Sequence, residues 1–127
     1  METIDVQKIH EKLAYLTLVR KELLTKELSP EGAWLHQYTV RRTYPSGYTG
    51  VYKYVKWQAN HAIFKRNPKK RALPLKPGKN ARFTTHQHIG CTDSDEAREA
   101  YETWNNRLKL EAIERALSEI EAILSTF

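Results

Sequence analysis

Apolar residues recur at threes and fours near the start of the chain: Ile9, Leu13, Leu16, Val19 and Leu23, extended by Leu24 and Leu28. That spacing predicts an amphipathic helix over residues 4–28. Thr3 is a fitting N-cap, and Pro30 and Gly32 are stop signals. From Trp34 the period drops to two, which predicts a strand. Trp34, His36, Tyr38 and Val40 share one side of it, and Leu35, Gln37, Thr39 and Arg41 the other. Tyr44-Pro45-Ser46-Gly47 has proline second and glycine where a positive φ is wanted, the chemistry of a type I turn followed by a bulge. A return strand is predicted from roughly Tyr48 to Phe64, rich in β-formers and without proline.

Residues 65–82, KRNPKKRALPLKPGKNAR, contain three prolines and eight basic side chains and predict an extended loop. A third strand is expected from Arg82 to Ile89, ended by Gly90. Asp93 and Glu96 have capping-box spacing, and a long helix should follow from about Ser94 to Ser125. It carries two apolar stripes: Ala97, Tyr101, Trp104 and Leu108, then Leu110, Ile113, Leu117, Ile120 and Leu124. The expected architecture is an α+β fold, with an N-terminal helix, a three-stranded antiparallel sheet with a long basic loop, and a long C-terminal helix. At 127 residues this is the size of a single domain. It divides into an N-terminal helix (1–33), a basic sheet and loop (34–92) and a C-terminal helix (93–127).

With a helix on one side of the sheet, apolar content assigns the faces. Trp34, Tyr38, Val40, Val51, Val55, Trp57, Phe83 and Ile89 are expected on the buried side. Gln37, Thr39, Arg41, Tyr52, Tyr54, Lys56, Gln58, His86 and His88 are expected on the open side.

Charge changes the picture from scaffold to ligand. Residues 34–92 hold twelve Lys or Arg and no Asp or Glu, whereas the fifteen acids fall six before and nine after. At the chain's overall acid frequency, about seven would be expected in a segment of that length. Solvation alone is served by either sign, so the asymmetry points to a polyanion. Arg41, Lys53, Lys56, Lys69, Lys70 and Arg71 are candidate phosphate contacts. Gln37, Thr39, Tyr52, Tyr54, His86 and His88 are candidate readers, because these types reach base edges or stack on bases. Duplex DNA read by a sheet face is the expected ligand. The alternatives are RNA, with stacking on Tyr52 and Tyr54, and an adaptor whose basic block meets an acidic protein partner.

The run Gln37-Tyr38-Thr39-Val40-Arg41-Arg42, the strand Tyr52–Trp57 and the closing His86-Gln87-His88-Ile89-Gly90 resemble small three-stranded DNA-binding modules. Arm-binding domains of tyrosine recombinases and proteins encoded near bacterial mobile elements have strands of this kind. The resemblance implies that the sheet face contacts DNA, in a regulatory or mobile-element setting.

Other chemistry is thinly represented. His86 and His88 alternate on one strand, and His36, His61 or Cys91 could join them around a metal. No carboxylate lies in the basic block to support such a site, so no metal or cofactor is expected. Asp93 and Asp95 are better explained as first-turn helix residues than as ligands of a nuclease metal. No phosphate-binding glycine loop or nucleophile elbow is present, and no enzymatic activity is expected. The single cysteine and the lack of a membrane-length apolar run suggest a cytoplasmic protein, nucleoid-associated if bacterial. The two long helices could pair with a second copy as a coiled-coil-like homodimer.

Overall fold

The structure, a computed structural model, describes residues 4–66 and 82–127. Thr3 and the candidate phosphate contacts Lys69, Lys70 and Arg71 lie outside those residues. The chain is α+β: helix α1 (Val6–Leu23), strands β1 (Ala33–Thr43), β2 (Thr49–Ala59), β3 (Phe64–Lys65), β4 (Phe83–Thr84) and β5 (His86–Cys91), and helix α2 (Asp95–Leu124). It separates into two compact units, Met1–Ser29 with Thr103–Phe127, and Pro30–Glu102.

In the helical unit, Ile9, Leu13, Leu16 and Val19 are half-buried and Leu23 is buried, as their spacing requires. The cap is Asp5, whose carboxylate accepts from the Lys8 amide at 3.2 Å. The helix stops at Leu23, short of the expected Leu28, and the following segment is tied down by α2. Asn106 Nδ2 donates to the Glu27 carbonyl at 3.3 Å. The Arg107 guanidinium donates twice to the Ser29 carbonyl, at 2.9 and 2.8 Å. These bonds satisfy carbonyls that a continuing helix would have used internally. On α2 Leu110 is buried, while Ile113, Leu117, Ile120 and Leu124 are half-buried, so the second predicted stripe packs in this unit.

In the sheet unit, β1, β2 and β5 form an antiparallel sheet with β2 in the middle. The hairpin between β1 and β2 closes as its sequence predicts. Gly47 N–H donates to the Tyr44 carbonyl at 2.9 Å, and Tyr44 N–H to the Tyr48 carbonyl at 2.8 Å. Gly47 has φ +88°, a left-handed conformation in which a side chain would be strained. The return strand ends at Ala59, and β3 pairs instead with β4 in a separate two-stranded ladder, Phe64 opposite Thr84. Arg66 N–H donates to the Arg82 carbonyl at 2.8 Å, so the chain leaves at residue 66 and returns at residue 82 side by side. Phe83, expected inside the main sheet, is therefore part of this small ladder and is exposed, whereas Phe64 is buried. Ile89, also expected inside, is half-buried at a register shift: Val55 faces Gly90 and Lys56 faces His88, leaving Ile89 as the extra residue of a bulge.

The cap of α2 is Ser94 rather than Asp93. Its hydroxyl accepts from the Ala97 amide at 3.1 Å and donates to the Cys91 carbonyl at 2.7 Å, which anchors the helix start to the end of β5. Ala97 and Ala100 in the first turns are buried. Tyr101 accepts a hydrogen bond from Gln37 Nε2 at 2.7 Å. Among the described residues, no helix is long and apolar enough to cross a membrane.

Candidate functional site

Antiparallel partners share a face, so register decides which side chains stand together. Leu35 is opposite Trp57, Ala33 opposite Ala59, and Gln37 opposite Val55. Those five apolar residues are buried, with Val55 fully so. Gln37 is spent on Tyr101 of α2. This is the covered face. Thr39, Arg41, Val51 and Lys53 continue it toward the hairpin end, where all four are exposed.

The opposite, open face carries Trp34, His36, Tyr38, Val40 and Arg42 from β1, facing Gln58, Lys56, Tyr54, Tyr52 and Gly50 of β2. His88 and His86 of β5 pair with Lys56 and Gln58 and complete it. The expected reading face thus divides. Tyr52, Tyr54, Lys56, Gln58, His86 and His88 do lie together, but Gln37, Thr39 and Arg41 are on the other side, as is the candidate phosphate contact Lys53. Conversely Trp34, Tyr38 and Val40, expected to be buried, belong to the open face, each half-buried. Counting apolar residues misplaced β1, because Trp34, Tyr38 and Val40 on one side outnumber Leu35 and Ala33 on the other. The usable signal was the turn itself. With Tyr44 set opposite Tyr48, alternation places Tyr38 opposite Tyr54 and Leu35 opposite Trp57.

The open face is a sheet of rings. Tyr44 and Tyr48 stack at 6.0 Å between centroids with 20° between planes, and Tyr52 and Tyr54 at 6.4 Å and 25°. Tyr54 lies 5.7 Å from Tyr38 and 5.4 Å from the His88 ring. The Tyr44 and Tyr52 hydroxyls share a 2.7 Å hydrogen bond that joins the first pair to the rest. Gly50 makes room for this: a Cβ there would stand 2.7 Å from the Tyr52 hydroxyl oxygen, so the ring lies over the glycine. The Tyr38 hydroxyl is 2.7 Å from His88 Nδ1 and donates to it in the tautomer that leaves Nδ1 without a proton.

Cations border these rings. Lys56 Nζ sits 5.2 Å from the Tyr38 ring centroid, a cation–π geometry. Arg42, Lys56, Tyr38, Tyr54, His86 and His88, with Val40, line an open depression of about 510 Å³. Among the described residues the ion pairs are Arg20–Glu114 and Arg98–Asp95, and neither involves Arg41, Arg42, Lys53 or Lys56. No group of three or more His, Cys, Asp or Glu that could hold a metal exists among the described residues. His86 Nδ1 lies 3.4 Å from the Thr84 hydroxyl, and Cys91 is a free, exposed thiol.

Two tyrosines titrate late. The Tyr52 phenol is pushed above its ordinary value of 10.0, first by its hydrogen bond to Tyr44, then by burial and neighbouring tyrosines. Tyr38 is raised by burial and then by Tyr54. Both therefore stay neutral through the physiological range, and the face gains no negative charge that would repel an anion. A raised phenol favours the folded state fully below the ordinary value, and that contribution is lost as pH rises through the raised one. Tyr44→Phe should move Tyr52 back toward its ordinary value. Ultraviolet absorbance titration of the phenolates would then show one tyrosine ionising earlier than in the parent protein, and an unchanged curve would mean that the Tyr44–Tyr52 bond does not form.

Compared with protein-family models, with curated proteins and with solved structures, the chain matches none, so its interface is characterised by its own chemistry alone.

Proposed function

We propose that the protein is a non-catalytic nucleic-acid-binding module that holds its ligand against the open face of the β1–β2–β5 sheet. One observation carries this: Lys56 and Arg42 stand among Tyr38, Tyr54, His86 and His88 around one open depression, in a segment of 59 residues without a single carboxylate side chain. Unpaired cations attract phosphate, and aromatic rings between them offer surfaces to bases. The five further basic residues in the segment 67–81 add to the same field. A ligand of this kind implies work in the cytoplasm, on the nucleoid if the cell is bacterial.

The test is binding measured at two salt concentrations. Affinity for nucleic acid should fall steeply as salt rises, with a log–log slope that counts the phosphates engaged. Absence of binding at low ionic strength, or binding insensitive to salt, overturns the proposal.

The helical unit supports a second element of the reading, a homodimer. Its two helices leave Ile9, Leu13, Leu16, Ile113, Leu117 and Ile120 only half-buried, and Tyr15 and Leu18 exposed at 58% and 56%. Residues 1–29 and 103–127 hold eight basic and nine acidic side chains, so two copies of this unit meet without net repulsion. A four-helix arrangement would bury the remaining stripes. Light scattering should give twice the chain mass of 14.9 kDa, and Leu18→Glu should return it to the monomer value.

A further inference from the structure

We infer that the ligand of the open face is an unpaired strand, whose bases lie on the tyrosine rings while its phosphates meet Arg42 and Lys56. This rests on the nucleic-acid reading above and narrows it to a substrate class. Groove readers need polar side-chain ends that are free to address base edges. On this face the amide and several of the hydroxyl ends are already engaged. The Tyr38 hydroxyl is bonded to His88 Nδ1 and the Tyr44 hydroxyl to that of Tyr52. The Gln58 amide donates to the Ala59 and Thr85 carbonyls, both at 3.3 Å. Two further candidate readers, Gln37 and Thr39, stand on the opposite face, with Gln37 held by Tyr101. What the open face offers to a ligand is π surface and positive charge.

The spacing of the rings fits the same ligand. Successive centroids along Tyr54, Tyr52 and the Tyr44–Tyr48 pair are separated by about 6 Å within each contact. The rise of a paired strand is about 3.4 Å per nucleotide, so bases seated on these rings would be pulled out of their own stack. Only an unpaired strand reaches that state without breaking base pairs. Such platforms are tolerant of sequence, because every base presents a π face. Lys56, poised over Tyr38, and Arg42 are placed to take phosphates beside the rings rather than in line with a groove. DNA and RNA single strands share this chemistry and differ in the 2′-hydroxyl, which the test separates.

The experiment is fluorescence anisotropy of the full chain at low salt with three labelled probes of equal length: oligodeoxythymidylate, oligouridylate and the dT–dA duplex. Both single strands, or the one preferred, should bind at least tenfold tighter than the duplex. Tyr54→Leu should weaken single-strand binding about five- to hundredfold, more than it weakens duplex binding, while leaving the salt slope unchanged. Tyr54→Phe should restore the affinity, because it keeps the ring. Gly50→Ala displaces the Tyr52 ring without removing it and should also weaken single-strand binding selectively. Equal or tighter duplex binding overturns the inference and leaves nucleic-acid binding standing, as does a loss in Tyr54→Leu that is the same for all probes. Failure to bind any probe overturns both. Far-UV circular dichroism matched to the parent qualifies each variant before titration, and Gly50→Ala stands in if Tyr54→Leu does not fold.

Discussion

Trp57→Ala is expected to destabilise the protein by about 3–5 kcal/mol, the range for emptying a buried large aromatic site. Trp57 is 7% exposed, lies on the central strand, and faces Leu35 on one side and Gln87 on the other. Its neighbours Val55, Ala59 and Leu35 come from two strands pinned by an eleven-pair ladder, so the cavity has little room to collapse. Total stabilities run at about 5–15 kcal/mol, so this one change consumes about a fifth or more of it. Trp34→Ala is the informative partner. Trp34 belongs to the open face and is half-buried, so its truncation should cost about 1 kcal/mol. Chemical denaturation of both variants checks the face assignment directly, and equal losses would mean that β1 presents its other side to the core.

The second large effect concerns binding. Replacing Arg42 and Lys56 together by glutamine should weaken nucleic-acid affinity at low salt by roughly a hundred- to ten-thousandfold, since each hydrogen bond to a charged group contributes about 1.5–3 kcal/mol. Two phosphate contacts fewer should also flatten the log–log salt slope, by about 0.7 per contact for a single strand and 0.9 for a duplex. Arg41→Gln with Lys53→Gln removes the same charge from the opposite face of the same hairpin. Long-range attraction falls equally in the two double variants, so any difference between them is local contact. A greater loss from Arg41 and Lys53 would move the ligand to the face that continues from the core.

What was legible in the sequence was local. The stripe Ile9–Leu13–Leu16–Val19 and the turn at Pro45–Gly47 depend on neighbours a few residues apart, and both formed as their chemistry demands. The end of α1 was not legible, because it is set by Asn106 and Arg107 reaching carbonyls nearly eighty residues away. The break after Ala59 is of the same kind: Phe64 leaves the main sheet to pair with Thr84, and nothing within residues 60–63 announces that partner. For the site, residue types placed Tyr52, Tyr54, Lys56 and Gln58 of β2 and His86 and His88 of β5 on one face, where they stand. They failed on β1, where Trp34, Tyr38 and Val40 look like core and Leu35 with Gln37 does not. Register outranks hydrophobicity in such a strand, and register was encoded in the hairpin loop.

Arg66 and Arg82 stand side by side, so the basic segment between them begins and ends at one place on the small ladder. Its two ends are joined by the Phe64–Thr84 ladder and by the bond from Arg66 to Arg82. The entropy of closing such an excursion grows only logarithmically with its length. Excision to a two-residue Asn-Gly connection would therefore strip Lys69, Lys70, Arg71, Lys76 and Lys79 in one operation. The shortened chain should keep its melting temperature, which makes charge here an exchangeable cartridge.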